Sequence, residues 1–163
     1  MAIRSIVTQE DGILLKHSRP VTEFNDRLHI LLDDMKETLA ASGGVGLAGP
    51  QVGVLRRVVI VIETNVPEDG EEYFIELINP EVVFEEGEQT GPEGCLSFPG
   101  QYGIVTRPNH VKVRAQDRNG NTFEVEGEAL TARCFCHEID HLNGIVFPDR
   151  AVRMLKPEEL GEK

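Results

Sequence analysis

No stretch of this chain is apolar for long enough to cross a bilayer, and the N-terminal "MAIRSIVTQEDG" lacks the apolar core of a secretory signal. A cytosolic location is therefore the expectation. Basic residues are few: 16 Lys and Arg stand against 28 Asp and Glu, a formal net charge of −12. That balance argues against a broad electrostatic grip on nucleic acid or on an anionic membrane surface. Cysteine is scarce and odd in number. Three thiols (Cys95, Cys134 and Cys136) without a secretory leader argue against a disulfide framework. Internal repeats and low-complexity segments are also missing, and no histidine follows His141.

What is present suits one domain with one sizeable core: 163 residues, 40% hydrophobic and 27% charged. Residues 1–163 read as a single catalytic domain, with 151–163 a short polar tail. In "TEFNDRLHILLDDMKETLAA" (22–41), Phe24, Leu28, Leu31, Leu32, Met35 and Leu39 recur at steps of three and four. That spacing predicts a helix with one buried face, capped by Thr22 and stopped by Gly43 and Gly44. "RRVVIVIE" (56–63) is β-branched and short, a buried strand. "YFIELINPEVVFEE" (73–86) reads as a strand pair or as one strand bent at Pro80. "HVKVRAQD" (110–117) and "NTFEVEGE" (121–128) alternate on either side of an Asn119-Gly120 turn, the pattern of a hairpin. A second helix is expected over 131–142, with Thr131 at its N-cap, Gly144 past its end, and Ala132, Phe135, Ile139 and Leu142 on its core face. Helices and antiparallel hairpins in this order, without βαβ units, read as α+β.

The chemistry concentrates in "FCHEIDHLNG" (135–144). His137 and His141 are four apart, so on a helix their rings stand one above the other and can close on one metal ion. Glu138 is rotated off that axis and can hydrogen-bond to water beside the metal. A bare His-x-x-x-His pair is just as often a solvated helix face, and the intervening glutamate tips the balance toward chemistry. A catalytic metal usually takes three protein ligands and leaves one position open. The residues after His141 offer no histidine, and Glu158 and Glu159 lie in the polar tail. Cys136 faces away from the pair, and the short side chain of Cys134 can line the site but not reach the ion. By elimination Cys95, at the apex of the Gly- and Pro-rich "GPEGCLSFPG" (91–100), is the better candidate for the third ligand.

With those residues assembled, the chain resembles the peptide deformylases. Three segments carry the likeness: "GVGLAGPQVG" (44–53), "EGCLS" (93–97) and "HEIDH" (137–141). Together they are specific, and their order and spacing span nearly the whole chain. The resemblance implies mixed, mostly antiparallel sheets packed around a central helix that carries the HExxH motif. It implies removal of the formyl group from the N-terminal formyl-methionine of nascent polypeptides, with release of formate. One divalent metal is implied, Fe(II) foremost with zinc, nickel or cobalt as substitutes, held by Cys95, His137 and His141. Water activated by the metal is then the nucleophile and Glu138 the general base and acid. The Gln51 side-chain amide and the Leu96 backbone N–H are implied as oxyanion donors. Gly44 and Gly46 would let an extended peptide approach the main chain, and Val45, Glu93, Leu130, Arg133 and Cys134 would form the methionine pocket beside His137.

Four departures from the family pattern stand out. Gly49 replaces the usual alanine, which is expected to loosen the backbone near Gln51. Cys136 replaces a common glutamine, with the loss of a hydrogen bond and exposure to oxidation expected. Phe98 replaces a smaller aliphatic residue. The tail after Pro148 is short, so ribosome association by a basic C-terminal helix is weakly supported, although Arg150, Arg153 and Lys156 leave a small basic edge. Direct nucleic-acid binding and membrane attachment are not expected. The reading that competes from another class is a catalytically silent deformylase-like binding module.

Overall fold

A computed structural model describes residues 2–8 and 10–160. Its first helix, α1 (Asp26–Ser42), starts three residues later than a Thr22 cap would place it. Asn25 is the cap: its side chain accepts from the Leu28 N–H at 3.2 Å, so Thr22 and Phe24 stay outside the helix. Gly43 ends it in the left-handed region at φ 79°, where a Cβ would be strained.

Among the described residues eight strands follow the first helix: β1 (Gly46–Ala48), β2 (Val58–Glu63), β3 (Tyr73–Glu86), β4 (Gln89–Gly94), β5 (Tyr102–Arg107), β6 (His110–Gln116), β7 (Thr122–Glu128) and β8 (Ala151–Met154). They form a five-stranded sheet in the order β1-β2-β3-β6-β7 and a three-stranded sheet in the order β4-β5-β8, with antiparallel neighbours throughout. Two further helices, α2 (Leu130–Leu142) and the single turn α3 (Phe147–Arg150), lie between β7 and β8. The architecture is α+β, as the element order suggested.

The unbroken apolar run in β2 has a packing cause. Val58 and Ile60 point to the side where Leu28, Leu32, Met35 and Leu39 of α1 pack. Val59 and Val61 point to the other side, against Ala132, Phe135, Ile139 and Leu142 of α2. A central strand covered on both faces has no solvent side to alternate toward. Consequently α2 is enclosed, and every residue from Thr131 to Leu142 is buried.

Residues 73–86 are one strand. Its register with β6 shifts between Ile78 and Glu81, so Pro80 occupies a bulge where no ladder N–H is required. Asn79 holds that bulge at φ 52°, accepting from the Val21 N–H and donating to Val21 O and the Gln116 side chain. At the β6–β7 turn Gly120 takes φ 87°, and the Asp117 carboxylate accepts from the N–H groups of Asn119 and Asn121. Four strands went unread in the sequence, the short β1 in the Gly-rich segment 43–53 among them. β4 runs through Pro92 inside the supposed loop, permissible because β4 is an edge strand. β5 follows it, and β8 makes 151–154 part of the small sheet instead of loose tail. Residues 161–163 of that tail lie outside the described residues. Among the described residues no helix is long and apolar enough to cross a membrane.

Candidate metal centre

The helix that carries the motif is anchored by contacts distant in sequence. Thr131 does not cap it: its hydroxyl donates to the buried Glu63 carboxylate, while Ala129 takes the cap position at φ 56° and ψ −123°. The Ala129 carbonyl accepts from the Arg133 N–H at 3.0 Å and from the Gln89 side chain at 2.7 Å, which ties the helix start to β4. Two turns on, His137 and His141 stand with ring centroids 5.0 Å apart. β4 ends at Gly94, so Cys95 sits at the first position past the strand, in a turn closed by the Phe98 N–H on Cys95 O at 2.9 Å. The ring of Phe98, large for that position, packs edge-on against Phe147, which in turn stacks on His137.

One donor atom each from Cys95, His137 and His141 lies within 4.8 Å of the others. Cys95 Sγ is 3.4 Å from His141 Nε2. Ligand bonds of about 2.3 Å to sulfur and about 2.0 Å to nitrogen place S and N about 3.5 Å apart around a tetrahedral ion, so this spacing fits a metal. A thiolate with two imidazoles suits borderline cations such as zinc, iron, nickel and cobalt. Gln51, in a short 3-10 turn (Gly49–Val52), brings its Nε2 to 3.4 Å from Cys95 Sγ and 3.2 Å from Ser97 Oγ. Its Oε1 accepts from the Ala48 N–H at 2.9 Å, which orients the amide with its donor side toward the cysteine.

Electrostatics point the same way. Burial alone would lower the His137 pKa, but Glu138, Cys95 and Glu93 raise it well above its ordinary value: this point in the protein asks for positive charge. Burial and the neighbouring His137 push His141 down, leaving it a neutral imidazole. Glu138 is buried, and burial lifts its carboxyl to about 7 against the pull of His137. Glu138 Oε1 and His141 Nδ1 have no hydrogen-bond partner among the described residues. Burial would also raise Glu93, yet hydrogen bonds from His137 and Arg107 hold it far below the usual carboxylate range. Glu93 Oε2 meets His137 Nδ1 at 2.5 Å, so the other ring nitrogen, Nε2, is left for the metal side.

A cavity of about 440 Å³ opens over these groups, a size ordinary for a ligand site. Every residue expected in the methionine pocket borders it: Val45, Glu93, Leu130, Arg133, Cys134 and His137. Gly44, Gly46, Cys95, Leu96 and Glu138 border it as well, while Gln51 and His141 stand behind Cys95. Both glycines leave room for a side chain packed against them. A Cβ on Gly46 would lie 2.6 Å from Glu138 Oε2, and one on Gly44 would lie 2.9 Å from Leu96 Cδ1. Glu93 and Arg133 give the pocket their stems only, since their charged ends bond to each other at 2.7 Å.

Two of the expected consequences of the departures fail on geometry. Gly49 does not loosen the turn: a Cβ there would meet the carbonyl oxygens of Arg56 and Val54 at 2.8 Å, so the glycine lets backbone close on backbone. Cys136 is buried away from the cavity, and burial pushes its thiol up to about 11. A thiol that stays protonated is a poor target for oxidation. The sequence reading missed Arg107 and Asp140, which join Glu93 behind the site, and Ser97 and Tyr102, beside Gln51 and at the cavity wall. A lone Arg or Asp carries no spacing signal that could have marked either.

Residues 3–157 match the family model described as polypeptide deformylase. A peptide deformylase of Caldanaerobacter subterraneus subsp. tengcongensis is 54% identical over 160 residues, covering 98% of this chain and 96% of that one. The crystal structure of peptide deformylase from Thermotoga maritima superposes with a TM-score of 0.85 at 36% identity, covering 93% of this chain and 99% of that one. A class I type b peptide deformylase from Acinetobacter baumannii, solved with Met-Ala-Ser bound, gives 0.83 at 34% identity, covering 91% and 98%.

Proposed function

The chain belongs to the polypeptide deformylase family, and from that premise we propose how its residues remove the formyl group from formyl-methionyl peptides. The observation that carries the reading is the convergence of Cys95, His137 and His141 donor atoms within 4.8 Å, beside a cavity lined by Cys95, His137 and Glu138. We read residues 1–163 as one cytoplasmic catalytic domain acting on nascent polypeptides.

Cys95, His137 and His141 would hold one divalent ion, with Fe(II) as the native metal and zinc, nickel or cobalt as substitutes. When bound, the ion polarises the formyl carbonyl and makes water acidic enough to attack at neutral pH. Glu138 takes the proton from the attacking water and returns it to the departing amine nitrogen, so formate and a free N-terminus leave. The Gln51 Nε2–H and the Leu96 N–H hold the oxyanion that develops as the carbonyl carbon becomes tetrahedral. Gln51 is suited to this because the Ala48 N–H prevents its amide from turning over. Gly44, Val45 and Gly46 lie at the cavity edge beside β1, where the peptide main chain can pair strand-like. Val45, Leu130, Cys134 and the stems of Glu93 and Arg133 receive the methionine side chain.

The basic edge of the C-terminal segment has little free charge to offer a ribosome. Arg150 pairs with Asp140, and Arg153 pairs with Glu159. Any ribosome association would therefore use another surface.

The test is formate release from formyl-Met-Ala-Ser and from its acetyl analogue, by protein purified without oxygen and assayed for metal. Formate from the formyl peptide, with the acetyl peptide inert and about one iron per chain, is expected. Equal turnover of both would favour a general peptidase. Metal binding with no turnover of either would favour the silent binding module.

A further inference from the structure

Behind the metal centre, four charged side chains run in a line from His137 to the surface. His137 Nδ1 is bonded to Glu93. Glu93 takes a forked pair of bonds from Arg107, Nε at 3.2 Å and a terminal nitrogen at 2.7 Å. The remaining terminal nitrogen of Arg107 donates to Asp140 Oδ2 at 2.7 Å. Asp140 in turn receives a forked pair from Arg150, at 2.6 and 3.0 Å. Glu93, Arg107 and Asp140 are buried, whereas the Arg150 side chain is 46% exposed. The line crosses four elements: β4, β5, α2 and α3.

Arg107 is shared between two carboxylates, and Arg150 is the second cation on one of them. With Arg150 in place, Asp140 is neutralised from outside and Arg107 can turn its fork to Glu93. Without it, Asp140 depends on Arg107 alone while Glu93 still has Arg133, so Asp140 draws Arg107 toward itself and the Arg107 fork on Glu93 loosens. Glu93 is the group that fixes the tautomer and tilt of the His137 ring. We propose that Arg150 is a positioning residue for the metal centre: it acts through Asp140, Arg107 and Glu93 to hold His137 in its ligating orientation. This rests on the reading of Cys95, His137 and His141 as metal ligands.

The experiment loads the full-length protein with cobalt(II) and follows two signals that need no substrate, the visible absorption of the bound ion and its release rate to a chelator. Loss of a direct hydrogen-bond partner of a metal histidine typically costs 10- to 100-fold, and an effect relayed through three residues belongs at the low end. Arg150→Met is expected to release cobalt about 10-fold faster, to shift the absorption band, and to lower kcat with KM for formyl-Met-Ala-Ser unchanged. Arg150→Lys keeps the charge and loses the fork, so it is expected to lie between; it decides the matter should the methionine variant not fold. Arg153→Met, which removes a comparably exposed cation outside the line, is expected to match wild type. Wild-type release rates and spectra in both Arg150 variants would overturn the proposal, as would equal acceleration by Arg153→Met. Cobalt bound without turnover of the formyl peptide would sink the hydrolase reading and leave this one standing. Failure to bind cobalt would sink both.

Discussion

Gly46→Ala tests the geometry of the proposed base directly. The new methyl carbon would lie 2.6 Å from Glu138 Oε2 and 2.9 Å from its Cγ, where ordinary contact begins at 3.4 Å. Gly46 is paired with Val61 at the edge of the large sheet, and that ladder resists a shift of the strand. The Glu138 carboxylate must therefore retreat by about 0.8 Å. A misplacement near 1 Å costs on the order of 100-fold in rate. The three atoms nearest that methyl carbon all belong to Glu138 and none to a ligand residue. Formate release from formyl-Met-Ala-Ser is accordingly expected to fall about 100-fold, with metal content unchanged. The assay pairs initial rates with metal analysis of the same sample. Wild-type kcat in a variant that keeps its metal would refute the placement of Glu138 against Gly46, and with it the need for glycine there.

Further outcomes follow from single contacts. Glu138→Gln should keep its metal and lose turnover; a fully active variant would remove Glu138 from the chemistry. In protein stripped of metal, a Glu138 carboxyl raised from 4.5 to about 7 makes folding stability fall as pH rises between those values. The glutamine variant lacks that titration, so its advantage over wild type in urea unfolding should grow from about pH 5 to pH 7, and a constant difference would contradict it. Glu93→Gln leaves two buried guanidiniums facing a neutral amide, so a loss of about 3 kcal/mol in stability and at least about 10-fold faster metal release are expected. Ala129→Gly relieves a non-glycine residue at φ 56°. Relief of about 1–3 kcal/mol, less the entropy glycine adds to the unfolded chain, predicts a gain near 1 kcal/mol by denaturant melting; destabilisation would mean the strain is absent.

Legibility in the sequence followed contact range. The body of α1, the β6–β7 hairpin and the buried run of β2 were readable because periodicity and turn chemistry act within a few residues. Helix starts were less so. Thr22 and Thr131 both have the right side chain for a cap, but Asn25 holds the first helix start and Glu63 captures the Thr131 hydroxyl. β4 was hidden by its Gly and Pro, which are tolerated only because the strand lies at a sheet edge, and edge position is a property of the assembled sheet.

The sequence by itself determined the kinds of ligand and the local geometry of two of them. His137 and His141 share a helix face through backbone periodicity alone, and the three motifs identify the family. Tertiary structure decided the rest, because it depends on pairing between distant segments. The register of β4 against β5 carries Cys95 to the imidazole pair, 46 positions from His141 along the chain. Burial of α2 between the sheets lifts the Glu138 carboxyl and commits Glu93 to His137. Desolvation and long-range ion pairing exist only once the chain has closed around them.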